Sequence, residues 1–145
     1  MKNILISACL LGCPTRYDGR STPCEAAIGL SRKYNLIPIC PEIYGGLPTP
    51  RVPSERVGDR VLMKDGRDVT ENYKRGAESA LDLAKMMNAD IAILKERSPS
   101  CGAGKIYDGT FSGTLADGFG VTAELLMKNG IRVIGESEIE KLLEV

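Results

Sequence analysis

Short apolar runs alternate with helix-like stretches along this chain, and that alternation restricts the fold more than any other feature. Ile4-Leu5-Ile6-Ser7-Ala8, Leu36-Ile37-Pro38-Ile39, Ile91-Ala92-Ile93-Leu94 and Ile131-Arg132-Val133-Ile134 are each of strand length. Runs this short and this apolar suit strands covered on both faces, which implies a parallel sheet. The expected fold class is α/β: a three-layer, Rossmann-like open parallel sheet of about four strands with helices on both faces. The strands are expected over residues 2–8, 36–40, 90–95 and 131–134. Right-handed crossovers place every loop that follows a strand on one edge of such a sheet. Ligands bind on that edge, where the strand order reverses.

The stretches between follow from local signals. Thr22-Pro23-Cys24-Glu25 reads as a capping box opening a helix to about Tyr34, with Ala27, Leu30 and Tyr34 inward. Residues 41–58 are rich in proline and glycine, too long for an idle connection, and are expected to form a binding loop or lid. Arg60–Val69 is expected to be a small hairpin insertion turning on Asp65-Gly66. Thr70 is expected to cap the longest helix, about 71–88, with Tyr73, Ala77, Ala80, Leu81, Ala84 and Met87 as its buried stripe. Residues 98–118 read as a second long loop, followed by a helix ending near Lys128. Ser137-Glu138-Ile139-Glu140 reads as a capping box opening the last helix. The expected organisation is one domain over residues 1–145.

Three of the strand runs lead to a cysteine. Cys9 and Cys40 follow the first two directly. Cys101 follows the third within Ser98-Pro99-Ser100-Cys101-Gly102. There Pro99 forces the chain out of the sheet and Gly102 permits a sharp turn. No Cys-x-x-Cys pair occurs, which argues against zinc ribbons and thioredoxin-type redox chemistry. Arg16 stands where a radical-SAM spacing starting at Cys9 and Cys13 would need its third cysteine. Spacing alone admits two readings: an iron–sulfur cluster with one iron not held by cysteine, or ordinary buried thiols. Cys13 and Cys24 are read as a loop thiol and a packing thiol.

Composition matters here mainly through what is missing. There is no histidine, so Cys-His and Ser-His dyads and imidazole-bound metals are excluded. Acid–base work falls to carboxylates, lysines, tyrosines or thiols. Nineteen basic residues balance nineteen acidic ones, so no basic face marks a nucleic-acid binder. Only short apolar runs occur, so no membrane span is expected and a cytoplasmic protein is. Five cysteines in a reducing compartment point to thiols or metal ligands, not a disulfide framework.

Glu42, in Cys40-Pro41-Glu42, is the candidate proton shuttle. Ser98 and Ser100 flank Pro99 and are candidate hydrogen-bond donors to a substrate. Arg51, Ser112 and Gly113 are the candidate substrate contacts, although Arg51 could also pair with Glu55.

The motifs Cys9-Leu10-Leu11-Gly12, Arg16-Tyr17-Asp18-Gly19, Cys40-Pro41-Glu42, Gly46-Leu47-Pro48-x-Pro50-Arg51, Ser98-Pro99-Ser100-Cys101-Gly102 and Asp108-Gly109-Thr110-Phe111 together resemble the TudS-type thiouracil desulfurases. The resemblance spans essentially the whole chain. It implies a [4Fe–4S] cluster held by Cys9, Cys40 and Cys101, with one open iron. It implies non-redox replacement of a thiocarbonyl sulfur by oxygen from water, with release of sulfide. Glu42 and Ser98 carry over as catalytic helpers, with Ser100 second. The family often has a further cysteine in the Arg-Tyr-Asp-Gly loop; here Thr15 is nearest and Cys13 is displaced. The implied partner is a small thiolated base or nucleoside, not nucleic acid. Competing expectations are a cluster-based hydro-lyase and a non-catalytic metal or small-molecule binding module.

Overall fold

The computed structural model describes residues 1–143 of the 145-residue chain. The domain expected over 1–145 is thus described up to Leu143. Four parallel strands form the central sheet in the order β2-β1-β5-β8, with β1 Lys2–Ser7, β2 Tyr34–Ile39, β5 Ile91–Leu94 and β8 Arg132–Gly135. The helices are α1 Glu25–Gly29, α2 Pro41–Tyr44, α3 Thr70–Met86, α4 Val121–Lys128 and α5 Glu140–Leu143.

Side chains that alternate along a strand sort the core into two layers. Leu5, Ala92 and Leu94 face α3 and α4, packing on Ala80, Leu81, Ala84, Ala123 and Leu126. Ile4, Ile6 and Ile93 face the other side, against Ala27 and Leu30 of the α1 segment and Ile139 and Leu142 of the α5 segment. The architecture is therefore the expected three-layer α/β/α arrangement. Among the described residues, no helix is long and apolar enough to cross a membrane.

Several local expectations need correcting. The first helix is only Glu25–Gly29, prolonged by a 3-10 turn Leu30–Arg32, and Tyr34 already belongs to β2. Thr22 does not cap it: the Thr22 N–H bonds the Cys9 carbonyl at 2.9 Å and its hydroxyl accepts from Arg16 at 2.9 Å. Tertiary ties to the first loop have overridden the capping signal. The expected hairpin is present but is joined by a further strand. The Asp65-Gly66 turn folds residues 67–69 back onto Arg60–Met63, through Met63 N–H to Arg67 O at 2.8 Å and Val69 N–H to Val61 O at 2.9 Å. The added strand is β3 Ser54–Val57, which pairs with β4 Arg60–Met63 and lies in the stretch expected to be a binding loop.

A second hairpin, β6 Ala103–Tyr107 with β7 Leu115–Phe119, occupies the segment expected to be loop. Its strands carry glycine, alanine, lysine and aspartate, residues of weak strand preference. At α3, Thr70 is already the first helical residue and Val69 holds the N-cap position; Asp68 accepts the Thr70 N–H at 2.9 Å, and Thr70 Oγ1 accepts the Val61 N–H at 2.9 Å. Met87 of the expected stripe is exposed. The Ser137 box does not form; the Ser137 N–H goes to Glu96 Oε1 at 2.6 Å, and a 3-10 turn precedes α5.

Candidate active site

The strand order changes direction at β1: the chain steps from β1 to β2 on one side, then crosses to β5 on the other. The three cysteines sit on the carboxyl ends of these three neighbouring strands. Cys9 rides the 3-10 turn Ala8–Leu11 directly after β1. Cys40 directly follows β2 and precedes Pro41 as the N-cap of α2. Cys101 lies in the loop between β5 and β6. All are free thiols, and all line one cavity of about 450 Å³.

The Cys101 loop is fixed from two sides. Ser98 Oγ accepts the N–H groups of Ser100 and Cys101, each at 3.1 Å. On the other side lies the start of α4, whose first N–H groups have no partner within the helix. Val121 N–H donates to Pro99 O at 2.9 Å and Thr122 N–H to Ser100 O at 2.8 Å. Gly120 makes that approach possible, since a Cβ there would overlap the Ser100 backbone.

Glu42 reaches the cavity from α2, two residues past Cys40. Its Oε1 accepts from Arg51 Nε at 3.2 Å and from the Tyr73 hydroxyl at 2.7 Å. Both bonds fall on Oε1, and Oε2 has no protein partner among the described residues. The position of α2 depends on α3. A Cβ at Gly76 would overlap the Pro41 carbonyl, and one at Gly45 would overlap that of Asn72. The two helices touch backbone to backbone, which is why Cys40-Pro41-Glu42 is held rigidly over Tyr73.

Arg51 is almost fully buried, its side chain 3% exposed. Besides Glu42 it donates to Pro48 O at 3.2 Å, Thr49 Oγ1 at 2.9 Å and Thr15 O at 2.9 Å. It lines the cavity, but nearly all of its N–H groups are spent on the protein. The same Thr15 carbonyl lies 3.8 Å from Cys40 Sγ.

The cavity makes the thiols poor acids. Burial pushes Cys9 up to about 11, opposed chiefly by the Lys95 ammonium. Burial likewise pushes Cys101 up to about 12 and raises Cys40. The cysteines also raise one another, as charges sharing one space must.

Other residues singled out from the sequence are placed as follows. Ser98 lines the cavity. Ser100 is fully buried on the other side of its loop, 2.8 Å from Thr122 Oγ1. Gly113 lines the cavity, whereas Ser112 is exposed and bonds Thr110 and Thr114. Cys13 and Cys24 stand outside the cavity. Arg51 pairs with Glu42 and not with Glu55. Glu55 instead accepts the N–H groups of Gly109 at 2.9 Å and Phe111 at 3.1 Å.

Sequence reasoning passed over Tyr73, Lys95 and Phe111, all of which line the cavity. Lys95 was detectable as the first residue beyond β5 at the sheet's functional edge. Its Nζ is held by Glu136 Oε2 at 3.2 Å. Tyr73 stood out as the one polar-tipped side chain in an otherwise small, apolar stripe.

A doubly covered parallel sheet with a thiol-lined cleft at its switch point defines an α/β protein built to hold a ligand or cofactor at its strand ends. The particular family is clear from comparison. The sequence model of the 2-thiouracil desulfurase family matches residues 4–138, and the chain belongs to that family. It is 44% identical over 150 residues to the uncharacterized protein YbbK of Bacillus subtilis (strain 168), covering 97% of this chain and 99% of that one. It is also similar to the solved structure of the [4Fe-4S]-dependent thiouracil desulfidase TudS. That similarity has a TM-score of 0.89 and 45% identity, over 99% of this chain and 96% of that chain.

Proposed function

We propose that the protein is a [4Fe–4S]-dependent thiouracil desulfurase. It replaces the thiocarbonyl sulfur of a thiolated pyrimidine, as free base or nucleoside, by oxygen from water, and releases sulfide. The observation that carries the reading is the meeting of Cys9, Cys40 and Cys101 with Glu42 in one cavity, in a chain of this family.

The donor set fits the cluster. Among the described residues, no three His, Cys, Asp or Glu side chains are disposed to hold a single metal ion. Three soft thiols lining one cavity are the donor type that a [4Fe–4S] cluster would take, and Cys9, Cys40 and Cys101 would hold it. Held by Cys9, Cys40 and Cys101, a [4Fe–4S] cluster supplies an iron without a cysteine ligand, a thiophilic Lewis acid beside the cavity.

The chain's own residues supply the rest. Swapping sulfur for oxygen consumes water, and the protons of that water must be taken up and delivered to the leaving sulfur. Glu42 is the carboxylate placed to move them, its Oε1 anchored by Arg51 and Tyr73 and its Oε2 left for the reactants. Ser98 Oγ accepts two backbone N–H groups, which leaves its own O–H free to donate into the cavity. A hydro-lyase would need arginines turned toward a carboxylate substrate, and of the three that line the cavity, Arg16, Arg51 and Arg97, Arg51 is already committed to the protein.

The test is anaerobic reconstitution with iron and sulfide, followed by mixing with 2- or 4-thiouracil. Stoichiometric uracil and sulfide are expected. A cluster-loaded protein that binds thiouracil but yields neither product overturns the reading in favour of a binding module.

A further inference from the structure

We propose that Phe111 is the aromatic face on which the substrate's planar ring stacks, and that Glu55 is the positioning residue that holds it there. The inference rests on the thiopyrimidine reading given above and names a specificity determinant for it.

Phe111 has φ 56°, a left-handed backbone on a bulky non-glycine residue. Such strain persists only where surrounding structure imposes it, and it gathers at functional sites. The imposing group is Glu55. This carboxylate of β3 is 8% exposed and spends Oε1 on two backbone groups of the β6–β7 connection, Gly109 N–H and Phe111 N–H. Gly109 seats the loop on β3, since a Cβ there would lie 2.9 Å from Val57 Cγ2 and 3.1 Å from the Arg56 carbonyl. Asp108, Thr110, Ser112 and Thr114 then link their side-chain oxygens in a chain of bonds of 2.6 to 2.8 Å.

A buried carboxylate and a hydroxyl chain are thus spent on stiffening an exposed hairpin tip. The neighbouring Thr110, Ser112 and Thr114 are solvent-facing, but Phe111 is half-buried and lines the cavity. The wall sets Lys95, Arg97, Glu42, Ser98 and Lys64 beside the rings of Tyr17, Tyr73 and Tyr107, and among these aromatics Phe111 is the one without a polar tip. A flat heteroaromatic ring needs a π-face as well as polar edges, and base–aromatic stacking is tolerant of ring substituents. A phenyl held rigid before binding provides that face without an ordering cost.

The test compares wild type with Phe111→Gly, Phe111→Leu, Glu55→Gln and Glu55→Met, all cluster-loaded. Uracil, the unreactive product base, is titrated by calorimetry, and kcat and KM are measured with thiouracil. Glycine accepts φ 56° without strain, so Phe111→Gly is expected to keep or raise the melting temperature. The same variant is expected to weaken uracil binding and raise KM by at least about fivefold, with kcat little changed. Phe111→Leu should weaken uracil binding in the same way. Glu55→Gln keeps an acceptor oxygen and should bind uracil normally. Glu55→Met should reproduce the binding loss and add nothing further in combination with Phe111→Gly.

Uracil affinity unchanged in Phe111→Gly, or no uracil binding by wild type, overturns the proposal. Sulfide release with an unchanged KM in Phe111→Gly overturns it while leaving the desulfurase reading intact. Phe111-dependent uracil binding without sulfide release supports the stacking face and removes the desulfurase reading.

Discussion

The Tyr73 hydroxyl donates to Glu42 Oε1 across 2.7 Å, from a ring with no solvent exposure. Burial first, and the neighbouring carboxylate second, hold the Tyr73 phenol well above its ordinary range, so it remains a donor throughout the neutral range. With Arg51 Nε on the same oxygen, Glu42 keeps one orientation and presents Oε2 to the cavity. Tyr73→Phe deletes one bond to a charged acceptor and should cost about 1.5–3 kcal/mol of stability. Turnover should fall roughly tenfold with KM unchanged, because orientation and not binding is lost. Steady-state kinetics and a denaturant midpoint measure both effects; an unchanged kcat would show that Glu42 does not need this anchor.

Glu42 itself is best tested with glutamine. Glu42→Ala strands a buried guanidinium, and breaking such a pair costs about 3–5 kcal/mol, enough to confuse folding with chemistry. Glu42→Gln keeps an acceptor for Arg51 and Tyr73 but cannot take up a proton at neutral pH. The expected outcome is normal iron content, a near-normal melting temperature and loss of turnover by at least about a hundredfold. A glutamine variant with wild-type kcat would remove Glu42 from proton transfer.

The cysteines divide cleanly by position. Cys9, Cys40 and Cys101 line the cavity and Cys24 does not, although it packs on the sheet's second core layer. Cys40→Ser should abolish the visible absorption of the reconstituted protein and lower its iron content. Cys24→Ser should change neither. Equal iron in the two variants would rule out Cys40 as a ligand.

Much of this site was legible in the sequence, for one physical reason. A parallel sheet with right-handed crossovers gathers its strand ends on one edge, so residues far apart in the chain are brought together by topology alone. That logic located Cys9, Cys40, Cys101 and Glu42 before any contact was known, and left Lys95, one residue past β5, unread. It said nothing about which way a side chain turns within a loop. Ser98 and Ser100 flank the same proline, yet one lines the cavity and the other bonds Thr122 inside the core. Ser112 and Gly113 part in the same way. The Tyr73–Glu42 and Glu55–Phe111 bonds join separate elements and leave no local pattern. The β6–β7 hairpin escaped notice because its strands are stabilised by pairing and not by residue preference.

The raised pKa values of the buried thiols make a signed prediction for the cluster-free protein. Cys9 titrates near 9.0 when unfolded and about 11 when folded; Cys101 rises further, to about 12. Between those limits the folded state binds more protons than the unfolded state, so stability must fall as pH rises. The contribution is fully present below pH 9.0 and is lost as pH climbs through about 11. Each thiol should add a slope of about 1.4 kcal/mol per pH unit in that window. Urea titrations of the cluster-free protein from pH 8 to 11, with Cys9→Ala as reference, measure it. A wild-type slope no steeper than that of Cys9→Ala would mean that Cys9 is not buried as described.

Gly76 offers the sharpest contrast between local preference and tertiary contact. Inside a helix, alanine is favoured over glycine by about 1 kcal/mol. At Gly29, the last residue of α1, a Cβ would meet nothing within 4 Å, so Gly29→Ala should stabilise by up to about that amount. At Gly76 of α3 the same methyl would overlap the Pro41 carbonyl. The obstacle is backbone, so no rotamer change relieves it, and α2 must move away. Overpacking of this kind costs about 1–3 kcal/mol, which outweighs the helical gain. Because α2 carries Glu42 and follows Cys40, Gly76→Ala should also lower turnover where Gly29→Ala does not. Chemical denaturation of both variants decides the matter: a Gly76→Ala protein as stable and active as Gly29→Ala would mean that α2 does not depend on this contact for its place over the cavity.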